Sequence, residues 1–450
     1  MGPTARSEAL AASLRPLLDA RDYHAIHRLL ARAAVPEVAD VLRDADPDDR
    51  LVLFRLLPHD LGADVFAELE SVYEDEILSV LSSEETRELL ASIAPDDRTE
   101  LFEELPGAAT QKLINLLSPE DLAETRRFLG YPEESIGRLA TPEYVAVRPE
   151  WSASRALEHV RAHGRDSETV NVVYIVDRRW RLLGSVSLRR LILAEADAPV
   201  SDLLVETHAL SAFEDRENAV GAMRRYDAVA LPVVDSSGVL IGIVTVDDVL
   251  DVAEEEATED AHRTASVMPL RASYGTLSVW DLYGKRVGWL AILLVVNLFS
   301  SGIISAYEEM LASVIALTFF IPLLIATGGN TGSQSAMMMV RAIVTEDVMP
   351  RAWFATFLKE IGVGVLLGGT LAVGAFALGA LRADPRIGIV VGLAMVAIVI
   401  VSNLVGMTLP FVLTRLKQDP TVASSPLVTT LADVLGLAIY FGIATVVLGL

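Results

Sequence analysis

No cysteine occurs among the 450 residues. Disulfide frameworks, thiolate metal centres and thiol catalysis are therefore excluded. Histidine is scarce, at seven copies, and neither it nor lysine or arginine occurs in five long apolar runs of the second half. An intramembrane hydrolase has no nucleophile–base or metal-ligand set to use there. Positive charge is the third shortage. The chain holds 37 Lys and Arg against 61 Asp and Glu, and the deficit lies almost wholly before Arg271. The first 270 residues carry 27 basic and 52 acidic side chains, a net of −25, whereas the remainder carries 10 and 9. Such a half repels nucleic acid and anionic lipid and attracts multivalent cations. The first residues also lack a basic segment followed by an apolar one, so no cleaved leader is expected and the acidic half stays in the cytoplasm.

The five runs are Val287–Tyr307, Met310–Val340, Ile361–Leu381, Ile387–Thr414 and Thr421–Leu450. Each approaches or exceeds the roughly 20 residues that cross a bilayer as a helix. Lys285 and Arg286 precede the first, Arg341, Arg351 and Lys359 separate the second and third, and Arg415 and Lys417 follow the fourth. Basic loops face the cytoplasm, so the N-terminus is expected inside and the C-terminus outside a cytoplasmic (inner) membrane.

Polar residues inside these runs are few. Thr327 to Ser335 reads Thr-Gly-Gly-Asn-Thr-Gly-Ser-Gln-Ser, after Pro322. Small residues at membrane depth permit close helix packing, or a break that turns carbonyls towards a pore. Asn403, Gly406 and Pro410 read as a similar, weaker break. Asp433 is the only charged residue from Pro420 onward, about two helical turns after Ser425. A carboxylate at that depth costs roughly 2.5–3.5 kcal/mol on insertion scales and faces a partner, a cavity or an ion path. No cation in the runs can pair with it and no second titratable group is seen there to form a proton relay. Cation attraction remains.

The acidic half reads as three parts. Residues 1–135 are expected to form short stacked helices in an all-α superhelix, because Leu57-Pro58, Ala94-Pro95-Asp96-Asp97, Leu105-Pro106 and Ser118-Pro119-Glu120-Asp121 are helix starts. Apolar groups such as Leu101, Phe102 and Leu105, then Leu113, Ile114, Leu116 and Leu117, follow them. Two α/β units come next, at 136–199 and 200–251. Each has a buried-strand run ending in Asp (Val172 to Asp177, Leu231 to Asp235), a turn, a strand after Gly184 or Gly242, and a helix. Asp247 to Asp251 then lead into a connecting helix over 252–280 crowded by the acids from Glu254 to Asp260, and a divalent cation relieves such repulsion.

Both α/β units resemble CBS domains, which pair face to face. The second keeps Gly242, Thr245 and Asp248 in the Gly-x-x-Thr-x-x-Asp pattern that contacts an adenosine ribose in that family. The first has Ser187 and then Arg190 in place of the acid, so nucleotide binding, with ATP as a regulatory ligand, stays open.

The order of parts, with Gly-Gly-Asn-Thr-Gly-Ser-Gln-Ser from Gly328 and Pro-Leu-Val-Thr-Thr-Leu-Ala-Asp ending at Asp433, resembles the MgtE family of magnesium channels over almost the whole chain. The resemblance implies a multidomain protein: an all-α N-terminal domain, paired α/β CBS domains, an acidic connecting helix, and a five-helix membrane domain over 281–450. It implies a homodimer, not an enzyme, with Mg2+ drawn by paired Asp433 carboxylates beside Ser425, Asn330, Gly328, Gly329 and Thr430. It also implies closure by cytoplasmic Mg2+ at Asp64, Asp96, Glu100, Glu217, Asp227, Asp248, Asp251, Glu256, Glu259 and Asp260. Ser425 stands where the family often has Asn, replacing an amide carbonyl with a hydroxyl. The alternative is an ion-coupled secondary transporter of Mg2+, Co2+ or Mn2+, which calls for a second ionisable site in the spans. Oxygen ligands alone do not choose among these ions.

Overall fold

The computed structural model describes residues 3–105, 107–165, 167–270, 274–275, 277–345, 347–348 and 353–449. Pro106, Arg271, Arg351 and Leu450, used in the sequence reading, lie outside the described residues. The chain divides into two units, Met1–Glu256 and Ala257–Leu450.

Among the described residues, the first unit opens with ten short helices, α1 (Pro3–Asp19) through α10 (Pro119–Phe128). Pro47, Pro95 and Pro119 stand in first helical turns, followed by acids, and the Ser118 hydroxyl accepts from the Asp121 amide at 3.1 Å. Proline's missing donor costs nothing there, and the acids complement the helix dipole. The helices close over Leu14, Ile26, Leu42, Leu53, Phe66 and Leu90. A longer repeat underlies them. Pro-Asp-Asp-Arg occurs at Pro47 and again at Pro95. Each arginine is buried. Arg50 donates to the Leu42 carbonyl and pairs with Glu76; Arg98 donates to the Leu90 carbonyl and pairs with Glu124. The same device therefore ties the helices together twice, by satisfying carbonyls that a helix end leaves open.

Two small sheets follow, and they share one topology. In the first, β1 (Tyr144–Val147) runs parallel to β2 (Thr169–Val176), which pairs antiparallel with β3 (Leu182–Ser187). In the second, β4 (Leu210–Ser211) runs parallel to β5 (Ala230–Val234), which pairs antiparallel with β6 (Leu240–Thr245). Helices α11 (Ala153–His163), α12 (Leu188–Leu193), α13 (Val200–Leu203) and α14 (Glu217–Tyr226) flank them. The strands are apolar on both faces, and Tyr174, Val176, Ala230, Leu240 and Ile243 of the two sheets form one buried cluster. Helix α15 (Val246–Thr264) continues directly from β6.

In the second unit, five helices among the described residues are long and apolar enough to cross a membrane. They are α16 (Val279–Ala306), α18 (Ile321–Val344) with the 3-10 turn Ile315–Phe320 before it, α19 (Trp353–Arg382), α20 (Pro385–Arg415) and α21 (Ser425–Leu448). The short α17 (Glu308–Ser313) follows α16. Val390, Ala394, Ile398, Leu437, Tyr440 and Phe441 form the centre of the bundle, and the Tyr440 hydroxyl donates to the Leu317 carbonyl at 2.9 Å.

Two expectations are corrected. The glycine-rich stretch of α18 and the Asn403–Pro410 stretch of α20 are continuous helix, not breaks. Their small residues serve packing instead. A Cβ at Gly406 would stand 2.1 Å from the Gly332 carbonyl oxygen, so the two backbones touch and only glycine fits. The second correction concerns charge. Helix α19 begins at Trp353, well before the apolar run, and so takes in Glu360. Glu360 is therefore a carboxylate within a spanning helix in addition to Asp433.

Candidate functional site

Asp433 sits on the third turn of α21, which starts after a short 3-10 turn at Pro420–Val422. It lines a cavity of about 470 Å³ with Leu290, Leu293, Leu294 and Asn297 of α16 and Ser425, Pro426, Thr429 and Thr430 of α21. Its Oδ1 is buried and has no hydrogen-bond partner. A carboxylate oxygen in that position leaves its desolvation uncompensated within one chain. Three of the six residues assigned to a pore, Asp433, Ser425 and Thr430, share this cavity. The other three do not line it. Gly328 packs on Ile398 and Gly329 on Thr429, while Asn330 is exposed on α18. The Thr430 hydroxyl donates to its own helix, at Pro426, 2.8 Å away. Asn297 and Thr429 were missed by the sequence reading. Asn297 lies in an apolar run with no motif, and its place follows only from how α16 meets α21.

The polar contact of α18 with α21 is made by the Ser333 side chain. The Ser333 hydroxyl donates to the Ser425 carbonyl at 3.2 Å and shares a hydrogen bond of 3.0 Å with the Thr429 hydroxyl. Glu360, on α19, receives hydrogen bonds from the Asn403 amide at 2.5 Å and the Ser335 hydroxyl at 3.4 Å. Both donors are almost fully buried.

In the first unit, carboxylates gather around α8 (Pro95–Glu104) and the start of α15. Burial, then repulsion from Asp248, Asp97 and Glu168, pushes the Asp96 carboxyl well up from its ordinary range. Burial and repulsion from Asp248, Glu168, Asp64 and Glu68 raise Asp97 to about 7. Glu168 and Asp248 are raised too, in each case chiefly by burial. Asp248 is anchored by the Thr245 hydroxyl, which donates to it at 2.6 Å. Asp64, Asp96 and Asp248, assigned from the resemblance, thus share one negative field with Asp97, Glu168 and Glu68, which were not. Among the described residues, no three of His, Cys, Asp and Glu stand close enough to hold one metal ion. The remaining assignments are more scattered. The Asp251 carboxyl is raised by partial burial and by Glu254 and Asp247. Glu100 is exposed on α8; Glu217 opens α14, and Asp227 closes it in the left-handed region at φ 50°. Glu256 lies 3.6 Å from Arg216, whose guanidinium also pairs with Glu134 at 2.7 Å and Glu255 at 2.8 Å. That arginine is a built-in cation among acids.

In the second unit, Glu259 and Asp419 both pair with Arg263. Burial first, then Asp419, raises the carboxyl of Asp260 beside them. The Ser266 and Ser424 hydroxyls meet at 2.6 Å, so the chain after α15 is tied to the first residues of α21. For the nucleotide pattern, the Ser187 hydroxyl in the first α/β unit caps α12 at the Arg190 amide, where the second unit has Thr245 on Asp248.

The protein-family matches cover each part. Residues 34–134 match the MgtE intracellular N domain, 136–197 and 200–255 match CBS domains, and 321–443 match the MgtE model described as a divalent cation transporter. The magnesium transporter MgtE of Thermus thermophilus is 39% identical over 447 residues, covering 98% of this chain and 99% of that one. The magnesium transporter MgtE of Bacillus subtilis is 30% identical, covering 93% and 95%. A crystal structure of the cytosolic domain of the Mg2+ channel MgtE in complex with ATP aligns at a TM-score of 0.52 and 34% identity, covering 54% of this chain and 99% of that one. With relatives of such identity matched over nearly their whole length, the chain belongs to the MgtE family of divalent cation transporters, and is a multi-pass membrane protein with an intracellular N-terminal domain rather than an enzyme.

Proposed function

We propose that this protein is a Mg2+ channel of the cytoplasmic membrane that admits magnesium and is closed by magnesium on its inner side. The parts we assign are a helical domain over 1–135, CBS domains over 136–199 and 200–251, a connecting helix and linker over 252–280, and a pore domain over 281–450. The N-terminus lies in the cytoplasm and the C-terminus outside.

One observation carries the pore assignment: the buried, unpartnered Oδ1 of Asp433 in a cavity edged by hydroxyls and the Asn297 amide. Mg2+ takes octahedral oxygen at about 2.0–2.1 Å and gives up water reluctantly. One carboxylate is a poor cage for it. Two, brought together by a homodimer with a two-fold axis along the pore, hold a largely hydrated ion through its waters. Uptake of Mg2+ by cells that depend on this protein tests the assignment. Asp433→Asn and Asp433→Ala should each lose most of it, and undiminished uptake by either sinks the reading.

The regulatory assignment rests on the raised carboxyls of Asp96, Asp97 and Asp248. Burial and neighbouring negative charge both disfavour these carboxylates when ionised, and a divalent cation among them offsets that charge. Swinging a closed fraction from 1:99 to 99:1 takes about 5.5 kcal/mol of differential binding, which several weak sites per dimer supply together. Asp64, Glu100, Glu217, Asp227, Asp251, Glu256, Glu259 and Asp260 complete the proposed set. ATP as a regulatory ligand at Thr245 and Asp248 is supported by the ATP complex of the cytosolic relative. Calorimetry with ATP on Thr245→Val tests it; unchanged binding rejects that site.

A coupled carrier is the second reading. Glu360, a further carboxylate within a spanning helix, favours it.

A further inference from the structure

Glu360 is held in a way that Asp433 is not. The Asn403 amide donates both to its carboxylate at 2.5 Å and to its backbone carbonyl at 3.0 Å, and the Ser335 hydroxyl reaches the same carboxylate oxygen at 3.4 Å. Three helices, α18, α19 and α20, therefore meet at one polar node. The node lies on the seam where α18 and α20 touch backbone to backbone at Gly332 and Gly406. Ser335 is three residues past Gly332 and Asn403 is three before Gly406. A small-residue seam allows close approach but offers few side-chain knobs to stop one helix sliding along the other. Directional hydrogen bonds supply that stop. The helix so fixed is the one whose Ser333 contacts Ser425 and Thr429, two of the residues that line the cavity with Asp433. Helix α19 itself contributes nothing to that lining.

We infer that Glu360 is a positioning residue for ion passage. From outside the cavity it sets the axial register of α18 against α20 and, through Ser333, the polar wall beside Asp433. Acceptor geometry is what it supplies, so a neutral acceptor of similar length serves in its place. An apolar residue does not. The inference rests on the transport reading, but its test reads ion preference at an intact Asp433, so its failure is distinguishable from the failure of that reading.

The experiment uses the full-length protein in liposomes, with flux of Mg2+ and of Co2+ measured beside the thermal midpoint of each variant. Glu360→Leu should assemble, lose about tenfold in Mg2+ flux and change the Mg2+/Co2+ flux ratio by about threefold or more. Glu360→Gln should recover flux to within about threefold of wild type and restore the ratio. The inference is overturned if Glu360→Leu keeps the wild-type ratio, even at a lower melting temperature, because a purely structural brace acts on stability alone. It is equally overturned if Glu360→Gln fails as badly as Glu360→Leu, since the charge or proton of the carboxyl would then be what matters. Should the leucine variant not assemble, Ser335→Ala, which removes one hydrogen bond and little volume, decides: a changed ratio supports the role and a wild-type ratio ends it.

Discussion

In the membrane unit, Glu360 and Asp433 meet neutral groups: Glu360 has an amide and a hydroxyl, and Asp433 a cavity edged by hydroxyls and Asn297. In the cytoplasmic unit, the carboxyls of Asp96, Asp97, Glu168 and Asp248 are raised first by burial and then by neighbouring carboxylates. The first arrangement is held by shape and leaves one oxygen, on Asp433, unanswered. The second is held against its own repulsion. A protein that passes a divalent ion and also measures it needs both kinds of site, because a path must let the ion go whereas a sensor must change when the ion arrives.

The contrast is broken most severely by removing charge from the proposed sensor. Neutralising Asp248, Asp251, Glu256 and Glu259 together should leave flux running at internal Mg2+ that closes the wild type, a change of about tenfold or more in the closing concentration. Unaltered closure in the flux assay would show that the sensor lies elsewhere.

A titration sharpens the same point. Asp97 is raised from 3.8 to about 7. A raised folded value means that its contribution to stability is full at low pH and is lost as pH rises through about 7. In chelator, the full-length protein should therefore melt several degrees higher at pH 6 than at pH 8. Asp97→Asn should remove most of that gap, and Mg2+ at pH 8 should substitute for the proton. Identical melting at the two pH values contradicts the crowding.

Smaller effects separate the units by their response to Mg2+. Gly406→Ala forces a methyl to 2.1 Å from the Gly332 carbonyl oxygen. It should destabilise the membrane unit by about 1–3 kcal/mol, with or without Mg2+. Arg216→Ala frees Glu134, Glu255 and Glu256 from their shared cation. Its cost, about 1 kcal/mol in chelator for a partly exposed network, should shrink when Mg2+ is added. Melting curves in both conditions decide each case.

What the sequence made legible follows the same division. The spans stand out because charge is excluded from them, and Asp433 stands out for the same reason. That criterion also hid Glu360: a run ends where a charge appears, although a helix need not, and the donor that makes Glu360 tolerable lies 43 residues away on α20. Asp248 is visible in a local pattern with Thr245. Asp97 and Glu168 are not, since their neighbours come from helices and strands that only tertiary packing brings near. The glycine-rich stretches were ambiguous between a break and a seam, and the seam prevails because the facing helix presents Gly406 and Ser402 to them.

The most direct test of the whole account is Mg2+ flux through the purified protein in liposomes, with no Na+ or proton gradient imposed, for wild type and Asp433→Asn. The account predicts flux down the Mg2+ gradient alone for the wild type, and a loss of about tenfold or more when the carboxylate becomes an amide. Flux that requires a counter-ion gradient, or an asparagine variant that conducts undiminished, would contradict it.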